Sequence, residues 1–159
     1  MLNQIHNNIR RQERALDVLA KLLEEEFSCL TGRDPQAVTG VELSLQELLR
    51  QIAEERLALK KLVQAVIPGA RGLAEFADAQ DAATRTAFEQ ILRRIDQKEQ
   101  HCAVQAEKNA QLAFALAEQS RDMLDFMHKQ VQPRDRETYG RSGRFASHHP
   151  QAAILQGRL

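Results

Sequence analysis

Residues 30–38 read Leu30-Thr31-Gly32-Arg33-Asp34-Pro35-Gln36-Ala37-Val38, a helix stop and a helix start set side by side. Gly32 suits the left-handed conformation that closes a helix. Asp34 then offers an N-cap carboxylate, and Pro35 falls at the first helical position, where its missing N–H costs nothing. So short a connector makes the two flanking helices antiparallel neighbours. Gly40 weakens the first turn of the second helix, and Thr39 with Glu42 offers a capping box that would start it later.

Working outward from this connector, each flank carries a helical period. Upstream, Leu2, Ile5, Ile9, Gln12, Leu16, Leu19, Leu23, Glu26 and Leu30 recur in alternating steps of three and four, a coiled-coil seam with two polar interruptions. Asp17 and Lys21 form an exposed pair four residues apart. Downstream, Val38, Val41, Leu45, Leu48, Ile52, Glu55, Leu59, Leu62 and Val66 keep the same register with one polar break. The run Ile67-Pro68-Gly69-Ala70-Arg71-Gly72 stops the second helix. Leu73 to Ala79 allows a short helical turn, and Asp81 caps a third long helix. Its seam runs Phe88, Leu92, Ile95, Glu99, Cys102, Ala106, Asn109, Ala113, Leu116, Ser120, Met123 and Met127.

These periods predict an all-α fold: an antiparallel coiled-coil-like bundle of three long helices over residues 1–130. A basic, flexible C-terminal tail follows over 131–159. Pro133, Gly140, Gly143, Pro150 and Gly157 break the period there. From Lys129 onward six basic residues stand against two acids, a local net of +4. At ~1.5 Å per residue the first two helices reach roughly 45–50 Å and the third roughly 75 Å, so about 25 Å overhangs. The overhang contains Phe114, Leu116, Met123, Leu124, Phe126 and Met127, and this is the expected client-binding surface. Exposed apolar area of this kind marks an interaction site, and methionine adapts a groove to more than one ligand helix. The alternative is that the same residues are covered by a fold-back of the third helix or by a second copy.

Composition bounds the function. Hydrophobic residues make up 43% of the 159 but aromatics only 4%, which calls for an aliphatic, helical core. Lys plus Arg and Asp plus Glu are equal at 22 each, unlike the strongly basic domains that bind nucleic acid. No apolar run is long enough for a membrane span and no secretory signal is visible, so a cytoplasmic location is expected. Cys29 and Cys102 suggest neither a disulfide framework nor a zinc site. Asp125 and His128 stand three apart on a helix, but a di-metal bundle needs a second such motif and two further carboxylates. His148-His149 and Gly140-x-x-Gly143 lack the context for a metal or phosphate site. No catalytic residues, cofactor or metal are indicated; the chain reads as a binding protein, not an enzyme.

The order of features resembles the FlgN family of flagellar type III export chaperones. The resemblance lies in Glu24-Glu25-Glu26 running into Gly32-Arg33-Asp34-Pro35-Gln36-Ala37-Val38, and in the Leu/Arg-rich stretch from Leu48-Leu49-Arg50 to Arg56-Leu57-Ala58-Leu59. It continues in Lys108-Asn109-Ala110 and, most specifically, in the Tyr-x-x-x-Gly-like segment Thr138-Tyr139-Gly140-Arg141-Ser142-Gly143-Arg144. Where members often show paired asparagines ending in Asn-Gly, this chain has Asn109 followed by Ala110. The resemblance implies a chaperone that holds the C-terminal helices of hook–filament junction proteins of the FlgK and FlgL type. It also implies export-gate docking by Tyr139, Gly140, Gly143 and Arg144, to a cytoplasmic domain of the FlhA type. The rival reading is a structural or adaptor coiled coil that self-associates as a homo-oligomer through the third helix. Asn109, polar on a seam, either fixes register or bonds a client backbone, and register is favoured.

Overall fold

The computed structural model describes residues 2–70 and 72–131, and among them every regular element is a helix. In chain order these are α1 (Leu2–Thr31), α2 (Pro35–Val66), α3 (Leu73–Asp78) and α4 (Ala82–Val131). The chain divides into two units, Met1–Phe114 and Ala115–Leu159.

The connector folds as its residue types demand, with one difference. Asp34 N donates to Cys29 O and Arg33 N to Leu30 O, both at 3.1 Å, the paired bonds of a Schellman closure. The left-handed residue is therefore Arg33, at φ 54°, and not Gly32. Gly32 is the C-cap directly after α1, its N–H bonded to Ser28 O at 2.9 Å, so the glycine stands one position before the left-handed residue. Downstream, the Asp34 side chain accepts from Ala37 N at 3.0 Å with Pro35 in the first turn, and α2 begins there. Thr39 does not cap; its hydroxyl donates back to Pro35 O at 2.9 Å. Asp81 caps α4 as expected, accepting from Thr84 N at 3.2 Å.

In the first unit the seams converge on one core. Ile5, Ile9, Leu16, Leu19 and Leu23 of α1 pack with Val41, Leu45, Ile52 and Val63 of α2 and with Phe88, Ile91, Ile95 and Cys102 of α4. Burying one such side chain is worth about 1.5–3 kcal/mol, so this cluster is the main favourable term holding the unit together. The short α3 is more than a turn: Phe76 and Ala77 are buried, and the Phe76 ring meets Phe88 edge-on with centroids 5.7 Å apart. That plug alters the end of the α2 seam. Val63 is buried at 1% while Val66 is 39% exposed, because Val63 faces Ala70 and Leu73 across the stop segment.

Helix directions follow from the pairs that bridge them. The end of α1 joins the start of α2 through residues 32–34 alone, and Asn8 and Arg11 near the start of α1 reach Glu55 in the second half of α2, so the two helices run antiparallel. Arg94 pairs with Glu13 at 2.8 Å, Lys98 with Asp17 at 2.8 Å, and Asn109 reaches Leu23 O at 2.7 Å, so α4 runs alongside α1 in the same sense. Asp17 is thus engaged by α4, where a pair with Lys21 was expected.

The polar interruptions of the seams meet one another. Asn8, fully buried, donates to Glu55 O at 3.0 Å and to its carboxylate, and accepts from Gln12 Nε2 at 2.6 Å. Arg11 closes this layer with two 2.8 Å bonds to Glu55. Glu26 accepts from Asn109 at 2.6 Å, and Glu99 from Arg56. Among the described residues, no buried side-chain N or O lacks a partner. Such layers specify register, because a slipped pairing would leave a buried polar group unsatisfied.

Candidate functional site

The helix ending in the second unit keeps its apolar residues wet. From Gln119 to Val131 every residue of α4 is exposed. Met123 is 57% exposed, Leu124 58%, Phe126 62%, Met127 55% and Val131 53%, while Leu116 is half-buried. With about 100° of rotation per residue, Leu116, Met123, Leu124, Met127 and Val131 fall within an arc of roughly 100°, and Phe126 flanks it on the Met123 side. Val131 extends the predicted set; its signal was the four-residue step from Met127. Phe114, the last residue of the first unit and 69% exposed, lies about 160° from Leu116 around the helix axis, so it belongs to another face.

Charge lies on the rest of this helix surface. Glu118 and Arg121 pair at 2.8 Å, and His128 and Lys129 occupy the last turn, where cations oppose the negative end of the helix dipole. Nothing in this stretch gathers for chemistry: among the described residues no three His, Cys, Asp or Glu side chains group to hold a metal. An apolar stripe with a polar reverse makes this end of the helix amphipathic.

Two seam residues with reactive or polar side chains are turned inward instead. Cys102 is 5% exposed with its thiol toward Leu16 O at 3.7 Å, and burial pushes that thiol above its ordinary 9.0, which suppresses the thiolate. Asn109 is 2% exposed; its amide donates to Leu23 O and Glu26, and its oxygen accepts from Gln105 at 2.9 Å. Both of its N–H donors are thereby spent on α1 and its oxygen is engaged within α4, which fits the register role.

Against models of known protein families, residues 1–146 match that of the FlgN protein. The chain belongs to the FlgN family. This places it among chaperones of flagellum biogenesis and protein export. No curated protein and no solved structure matches. The FlgN match spans both units, and it includes Tyr139, Gly140, Gly143 and Arg144, which lie outside the described residues. Among the described residues no helix of this FlgN-family chain is long and apolar enough to cross a membrane.

Proposed function

We propose that this FlgN-family chain is a cytoplasmic export chaperone for hook–filament junction proteins of the FlgK and FlgL type. It works by binding alone. A C-terminal amphipathic helix of the client lies on the Leu116–Val131 stripe and completes an antiparallel coiled-coil-like bundle that the three long helices leave unfinished. The stripe masks client surface that would otherwise drive premature assembly. The observation that carries this reading is the run of four large apolar side chains, Met123, Leu124, Phe126 and Met127, each more than half exposed on one helix.

Residues 131–159 act in this reading as a basic tail that delivers the loaded chaperone. Tyr139, with Gly140, Gly143 and Arg144, supplies an aromatic anchor for a weak, reversible contact with an FlhA-type gate domain. Mixing the full chain with a junction protein tests the reading by size-exclusion chromatography with light scattering. A stoichiometric complex supports it. A self-associated chaperone that ignores the client would establish the rival adaptor reading, in which α4 pairs with a second copy.

A further inference from the structure

The width of the stripe, compared with the rest of the same helix, says how much has to cover it. Continuing the α4 seam as a heptad puts Leu116, Met123 and Gln130 at position d, and Ser120 and Met127 at position a. The flanking e positions downstream are then Ala117, Leu124 and Val131, and Phe126 holds a g position. Upstream, the same e positions are Glu89, Asp96, Ala103 and Ala110, and g carries Ile91, Lys98, Gln105 and Leu112. Large apolar residues thus occupy e only beyond Leu116. A seam facing a single partner helix needs only a and d apolar; adding e and g widens the face toward more neighbours.

α4 supplies its own calibration. Between Phe88 and Asn109, with polar residues at two of its three e positions, it is covered by two long helices, α1 through Glu13, Asp17 and Leu23 and α2 through Arg56, with the short α3 meeting it at Phe88. From Leu116 to Val131 the apolar face, including Phe126, spans roughly 160°. A face at least as wide as one that already takes two helices is not dried by one. We infer that the occupant of the Leu116–Val131 stripe presents two helices side by side, one over Leu124 and Val131 and the other over Phe126. The stripe continues the heptad register of the established α4 interface, so the occupant extends that packing with guest helices.

This rests on the client-binding reading, and photo-crosslinking of the full chain separates the two. Leu124→benzoylphenylalanine and, separately, Phe126→benzoylphenylalanine are mixed with an intact junction protein, and the crosslinks are mapped by mass spectrometry. Expected are crosslinks from the two positions to two different client helices, together with at least tenfold tighter binding of the intact client than of its last helix alone. Both positions crosslinking to one client helix, with equal affinity for that helix alone, would overturn the two-helix occupant and leave the client reading standing. Crosslinks to a second copy, or to residues 132–159 of the same chain, would overturn it in favour of those occupants. No complex with either probe would remove the client reading and this inference together.

Discussion

Replacing Met123, Leu124 and Met127 together by glutamine separates a docking stripe from a misplaced core. Each of these residues is between 55% and 58% exposed, so more than half of each side chain is still in water. Full burial of Met or Leu is worth about 1.5–3 kcal/mol, which leaves about 1–1.5 kcal/mol per residue to be gained on contact with a guest. Three such residues contribute about 3–4.5 kcal/mol, or roughly 100- to 1000-fold in affinity at ~1.4 kcal/mol per tenfold. Folding stability should move by less than about 0.5 kcal/mol, since glutamine, methionine and leucine have similar helix propensities and the site is solvated. Isothermal titration with an intact junction protein reads the first quantity, and urea denaturation followed by circular dichroism reads the second. Client affinity within about threefold of the parent, alongside a stability loss of about 2 kcal/mol or more, would refute the reasoning, because these side chains would then be core.

Asn109→Ala removes the donor to Leu23 O and Glu26 at a 2%-exposed position, and should cost about 1–3 kcal/mol in denaturation without touching client affinity. Arg33→Gly relieves a left-handed residue at φ 54° and should raise the thermal midpoint, by an amount equivalent to about 1 kcal/mol. Acid should destabilise the fold. A hydrogen bond from Arg94 holds the Glu13 carboxyl below its ordinary 4.5, and one from Arg11 does the same for Glu55. Carboxyls depressed in the folded state add stability that is complete above 4.5 and is lost as pH falls through the folded value, so the denaturation midpoint should drop below that pH. Glu13→Gln and Glu55→Gln should each flatten that drop.

Most of the helix layout was legible because apolar spacing and capping residues agreed. Asp34-Pro35 and Asp81 set two helix starts where their chemistry requires, and the α1 seam from Ile5 to Leu30 is buried nearly as read. What escaped was what depends on neighbours. Asn8 beside Ile9 reads as a surface amide, and only Glu55 on the facing helix turns it into a buried one. Val63 replaced Val66 because α3 plugs the end of the core, and a six-residue helix leaves little periodicity to read. Ile91 is buried where the seam named Leu92, a shift of one position in a helix whose first turns meet Phe76. The connector glycine misled by one place, since the closure uses Arg33. At the candidate site, apolar content is visible in the sequence, whereas sidedness emerges only when residues are placed at about 100° each around the axis, which sets Phe114 on a different face from Leu116.

The paired polar layers also govern what a visitor can displace. An apolar guest helix inserting between α1 and α4 would strand the Asn109 amide, and one parting α1 from α2 would strand Asn8 and Gln12. Each orphaned group costs about 1–3 kcal/mol, whereas apolar neighbours could be exchanged at little loss. The interior therefore discriminates between its own helices and a stranger's, so greasy cargo finds no cheap route into the host's fold.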